Sequence, residues 1–201
     1  MNSKLVDVET VAKGIFKSDF VSMAEACEVF DKPQEENDIS KMSFSTSESS
    51  LRRAKEDGFF FFSVPRGIAV KDLISLTGIF HFNLSPREVV SFKMEILKPG
   101  FYLVKKEPRH LSSGGMLMRE AGMTFEPNPR LAEILYYFTL CSLTGRKQML
   151  IHKLCILCKE EVVRRGNRTP VCVEANDENI NIDAWRSNVL MPNVMPVKKL
   201  L

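Results

Sequence analysis

The sequence predicts an α+β fold: a mostly antiparallel sheet packed on a central helix, with an N-terminal helical appendage. Three stretches carry that expectation. Phe59 to Val64 (FFFFSV) is apolar at almost every position, the pattern of a strand buried on both faces. Asn128-Pro129 followed by Leu131, Ile134, Leu135, Phe138 and Cys141 gives a helix start and one apolar stripe, which Gly145 ends. Val171 to Glu174 and Ile180 to Trp185 alternate after the turn Arg164 to Arg168 (RRGNR), as strands of an antiparallel meander do. The 201 residues suffice for one full domain and a separate N-terminal piece. Hydrophobic residues at 44% and charged residues at 26% exclude a wholly disordered or fibrous chain.

From the N-terminus, Leu5, Val8, Val11, Ala12, Ile15 and Phe16 recur at helical spacing, and Ser18 is a candidate cap for a second helix from Asp19 to about Phe30. Residues 31–46 are rich in Ser, Glu, Asp and Lys with few large apolar side chains, so they read as a flexible linker. The expected organisation is therefore 1–30 as a helical segment, 31–46 as linker and 47–201 as an α+β domain.

Within that domain, Ser47 opens a helix that Gly58 ends, ahead of the Phe59 to Val64 strand. Val70, Leu73, Ile74 and Thr77 share one helical face with Gly78 just beyond. Ile79 to Asn83 (IFHFN) alternates as a strand. Val89 to Leu97 and Phe101 to Lys106 flank Lys98-Pro99-Gly100 and predict a β-hairpin. Residues 107–128 form a long connection in which Met116 to Ala121 reads as a short helix. Met149 to Val163 fits helix or strand equally, and Val189 to Leu201, with two prolines, reads as a trailing or edge segment.

Pro99-Gly100-Phe101-Tyr102-Leu103-Val104-Lys105-Lys106, then a polar loop, a Pro-containing helix start, the helix with Tyr136 and Tyr137, Thr144-Gly145 and closing hairpins resemble a group of uncharacterised small bacterial and phage-type proteins. The resemblance covers roughly Phe92 to Trp185 and lies in order and spacing. The group carries a tryptophan and acidic residues after its hairpin, where this chain has Gly114-Gly115-Met116 and later Arg119-Glu120. The resemblance implies architecture and a bacterial or phage origin, and no chemistry.

The N-terminus lacks an apolar core of the kind a secretory signal needs, and apolar runs reach about eight residues where a membrane span needs about 20. Five cysteines, an odd number without dense spacing, then read as reduced thiols of a cytoplasmic protein. A formal charge of +3 is too small to imply nucleic acid without a clustered patch.

Three constellations are candidates for chemistry. His152-x-x-Cys155-x-x-Cys158 has the ligand types of a zinc site. On a strand, however, Cys155 and Cys158 face opposite ways, and on a helix His152 and Cys158 diverge, so buried structural cysteines are the favoured reading and no metal is expected. His110, with Arg119 and Glu120 on the same connection, has the residue types of a small hydrolase site, but the sequence has no nucleophile elbow, HExxH or Walker loop. Arg164, Arg165 and Arg168 crowd one turn near Trp185, a pattern able to contact phosphates and stack a base. The sequence thus favours a non-catalytic protein that binds another macromolecule, most simply another protein, and uses no cofactor. The alternatives are a nucleic-acid binder using the arginine turn or a small hydrolase using the His110 loop.

Overall fold

Four consecutive phenylalanines cannot all face one way on a strand, so both sides of the strand they form must be covered. The computed structural model describes residues 8–37, 46–107, 109–110, 118–120, 123–125, 128–146, 154–175, 179–185, 193–194 and 197–200. The chain enters with α1 (Val8–Phe16), a 3-10 turn, the short strand β1 (Phe20–Val21) and α2 (Met23–Val29). Ser22, and not Ser18, caps α2, its side chain accepting from the Glu25 backbone N–H at 3.0 Å. Phe20 and Val21 are taken into a sheet instead, which delays the helix. α3 (Glu48–Glu56) starts at the expected cap Ser47, β2 (Phe59–Val64) follows, and α4 (Val70–Thr77) stops at Gly78, whose φ of +64° is the left-handed helix end that glycine adopts without strain. β3 (Phe80–Phe82) is the expected alternating strand.

The next element differs from expectation. α5 (Pro86–Lys93) occupies the stretch where Val89 to Leu97 predicts a strand. Ser85 and Glu88 form a reciprocal capping box, with Glu88 Oε2 accepting from the Ser85 backbone at 2.8 Å and Pro86 in the first turn. This start is stronger than the β preference of Val89 and Val90. The Lys98-Pro99-Gly100 hairpin consequently does not form, and β4 (Gly100–Lys105) pairs antiparallel with β2. β5 (Arg109–His110), β6 (Met118–Glu120) and β7 (Met123–Phe125) follow, so the expected helix over Met116 to Ala121 is replaced at 118–120 by strand. α6 (Leu131–Leu143) begins after Arg130, two residues later than the Asn128 cap. β8 (Leu154–Arg164), β9 (Asn167–Ala175) and β10 (Ile180–Ala184) make the expected antiparallel meander, and β11 (Asn193–Val194) and β12 (Val197–Lys199) close the chain order.

These strands form a four-stranded sheet in the order β1-β2-β4-β12, a six-stranded sheet in the order β3-β10-β9-β8-β11-β5, and the pair β6-β7. The fold is α+β, and both larger sheets are mixed, because β1 with β2, β3 with β10 and β8 with β11 run parallel. Phe60, Phe62, Tyr102 and Val104 face one core together with α6 and the inner side of the six-stranded sheet. The Tyr136 ring lies 5.6 Å from Phe62, Tyr137 lies 5.8 Å from Phe60, and the Tyr136 hydroxyl donates to the Ser63 carbonyl at 2.6 Å. Phe59, Phe61, Phe101 and Leu103 face the other way, onto Ala12, Phe16, Phe20, Leu51 and Ala54.

The N-terminal residues are therefore packed into the sheet and do not stand apart from it as an appendage. β1 supplies an edge strand, and α1 supplies Ala12 and Phe16 to the second core. Without that cover, the outward phenylalanine faces would meet water at about 25 cal/mol per Å². Arg146, just past α6, ties the segment in further by donating to the Ser18 and Phe20 carbonyls and pairing with Glu25 at 2.9 Å. Of the expected linker, Asn37 is buried, accepts from the Arg66 backbone N–H at 2.7 Å and donates to the Pro33 carbonyl; residues 38–45 lie outside the described residues. No helix among the described residues is long and apolar enough to cross a membrane.

Candidate functional site

β8 and β9 are joined by two residues, Arg165 and Gly166, with φ of +50° and +82°. Positive φ at both central positions is a type I′ turn, whose twist matches the flanking strands. Glycine takes this conformation freely, but Arg165 takes it at a cost of about 1–2 kcal/mol. Below the turn the register slips between Leu157 and Glu161, a bulge that increases the local twist of the hairpin. The twisted hairpin end and the final residues of β10 bound an open cleft of about 660 Å³, lined by Arg164, Arg165, Thr169, Asp183 and Trp185 among others.

Each wall has its own chemistry. Arg164 is half held, donating to the Asn83 carbonyl at 3.2 Å and lying 3.9 Å from Glu88. Arg165 has no ion-pair partner among the described residues. Arg168, across the strand pair from Val163, is 83% exposed and sits 3.7 Å from Glu161, a solvated pair of little energetic weight. Trp185 packs its ring on Cys155, Leu157 and Cys172 and fixes its backbone through a 2.8 Å bond to the Pro170 carbonyl. Its indole N–H is buried and has no acceptor among the described residues, which costs about 1–3 kcal/mol. The cleft thus combines two guanidinium groups at a strained turn, a hydroxyl, a carboxylate and one anchored aromatic ring.

The other sequence candidates separate. His110 lies in β5, paired with Asn193 of β11 at the edge of the six-stranded sheet, whereas Arg119 and Glu120 lie in β6, opposite Thr124 and Met123 in a different sheet. The backbone topology therefore places the three on two separate sheets. His152 lies outside the described residues. β8 puts Cys155 on the outer face of its sheet and Cys158 in the main core, where burial drives the Cys158 thiol well above its ordinary range. One ion cannot be held by both, so the trio His152, Cys155 and Cys158 is not a metal centre. Cys155 instead meets Cys172 and Glu174.

A charge cluster that the sequence does not announce sits at the start of α6. Arg130 pairs with Glu95 and lies 3.9 Å from Glu160, while Glu133 Oε2 accepts from the Arg130 backbone N–H at 3.0 Å and Glu160 Oε2 from that of Leu131 at 2.7 Å. Burial pushes the Glu95 and Glu133 carboxyls up, and Arg130 opposes the shift in each case. Two smaller cavities, of about 280 and 160 Å³, adjoin it; Lys199 borders both, and Lys98 borders the smaller. Glu133 and Glu160 satisfy backbone N–H groups at the start of α6, and Glu95 pairs with the Arg130 side chain, so each carboxylate has a structural role.

No protein-family model, curated protein or solved structure matches the chain.

Proposed function

We propose that the protein is a non-catalytic binder of single-stranded nucleic acid, which it receives in the cleft at the β8–β9 turn. The observation that carries this reading is the placement of Arg164, Arg165 and the ring of Trp185 on the walls of one open cleft. Guanidinium groups neutralise phosphates, and a base of any identity can stack on an indole, so such a site tracks a strand without reading its sequence. A cleft open to solvent suits a chain better than an enclosed small molecule, which is normally buried over most of its surface. Asp183 on the same wall excludes a uniformly basic surface and limits contact to a few phosphates.

Trp185 is the single tryptophan, so its emission reports on the cleft directly. Titration of the full chain with an oligothymidylate at low salt is expected to quench that emission. If two phosphates are neutralised, affinity falls with salt at a logarithmic slope of about −1.4. Arg165→Ala is expected to weaken binding about tenfold, and Arg168→Ala to leave it nearly unchanged. Absence of quenching, or an Arg165→Ala variant that binds like the parent, overturns the reading.

One observation supports a protein partner as a second reading. Val90 on α5 and Met94, which caps the C-terminal end of that helix, are 60% and 72% exposed, and Ile96 nearby is 62% exposed. A protein partner on this stripe would bind with weak salt dependence and be lost on Val90→Lys, leaving the Trp185 signal unmoved.

A further inference from the structure

Cys155 and Cys172 lie on adjacent strands and both face the outer side of the six-stranded sheet, away from the main core. The register sets Glu174 directly opposite Cys155, and Cys172 directly opposite Leu157, so the two cysteines are diagonal neighbours. The two sulfurs and a Glu174 carboxylate oxygen all lie within 4.8 Å of one another. Both cysteines are 2% exposed, and Leu157 and the Trp185 ring pack against them, while Glu174 stays half-buried.

We propose that Cys155, Cys172 and Glu174 form a binding site for a soft divalent cation, with zinc the best fit. The ligand chemistry selects the ion. Two thiolates and a carboxylate suit zinc, whereas magnesium and calcium need oxygen ligands throughout. Zinc–thiolate bonds of about 2.3 Å in a tetrahedron set the sulfurs about 3.8 Å apart, so the observed cluster needs only a small closure. Two hydrogen-bonded strands hold the ligands before the ion arrives, and the apolar cover of Leu157 and Trp185 keeps competing water from one side.

The geometry also argues against the simplest other use of two neighbouring thiols. Diagonal positions on paired strands lie about 7–8 Å apart, beyond the usual Cα separation of a disulfide. Both cysteines bind zinc as thiolates, so the cation displaces their two protons to solvent as it enters. Three protein ligands leave a fourth tetrahedral position, which water fills in an open site. The proposal does not depend on what the neighbouring cleft binds.

The test is a titration of the full chain, purified under reducing conditions and stripped with a chelator, using Co(II) as a visible probe for zinc. One equivalent per chain is expected, with a thiolate-to-cobalt charge-transfer band. The band is expected to vanish in both Cys155→Ser and Cys172→Ser and to persist in Cys158→Ser, which changes a cysteine on the opposite face. Glu174→Gln should weaken cobalt binding at least about tenfold. No band in the parent protein, or a band that survives in Cys172→Ser, overturns the site. Thermal unfolding supplies a readout that needs no variant: excess zinc is expected to raise the midpoint, and an unchanged midpoint at saturating zinc also overturns it.

Discussion

Glu133 shows how one buried carboxyl links the fold to pH. Burial raises its pKa above the ordinary 4.5, with Glu160 and Glu95 adding to the rise and Arg130 and the backbone bond opposing it. The folded protein therefore holds a proton that the unfolded chain releases first, so stability is greatest below the ordinary pKa and falls as pH rises through the folded one. Glu95 shifts in the same direction for the same first cause. Glu133→Gln keeps an acceptor for the Arg130 N–H and has no proton to lose. Its urea midpoint is expected to decline less than the parent's between about pH 4.5 and 7.5, and an equally steep decline would place the linkage elsewhere. At this scale the sequence shows part of the picture. Arg164, Arg165 and Trp185 are visible as neighbours of one hairpin, and period two already separates Cys155 from Cys158. The approach of Cys172 and Glu174 to Cys155, and of Glu95 to Arg130, depends on strand register and helix packing across long stretches of chain, which no local pattern encodes.

Among the elements, the β8–β9 turn is where local strain and charge meet. Its two-residue I′ geometry favours asparagine followed by glycine, yet the chain places Arg165 before Gly166. Arg165→Asn is expected to stabilise the protein by about 0.5–1 kcal/mol, a rise of about 1–4 °C in Tm, while weakening oligothymidylate binding as Arg165→Ala does. A variant no more stable than the parent would show that Arg165 carries no turn strain. α4 and α6 follow from their apolar spacing and their glycine or proline punctuation, with α6 starting two residues late because Glu133 reaches back to Arg130. α5 does not follow, since Val89, Val90 and Phe92 have strand preferences and its start rests on four residues, Ser85 to Glu88, that close a reciprocal bond only once folded.

The whole molecule is organised around two cores that share β2 and β4, and the first of its described helices belongs to the second core. Phe16 is fully buried, with its ring 5.4 Å from Phe61. Phe16→Ala is expected to cost about 3–5 kcal/mol and to move the single unfolding transition of the whole protein, followed by circular dichroism. An appendage would instead give a separate early transition and leave the main one in place. Composition and the strand and helix patterns show the α+β class, but both sides of the Phe59 to Val64 run look alike in sequence, so the identity of the outer cover is not legible. The parallel pairs have a kinetic consequence. β1 with β2, β8 with β11 and β3 with β10 join residues from 37 to 100 positions apart, so their closure has a large loop entropy to overcome. High contact order of this kind places folding on the millisecond-to-second scale, with the antiparallel β8–β9 hairpin formed early and the flanking strands recruited last. During that interval β2 and β10 present bare edges, and it is at these edges that pairing with a second copy competes with folding.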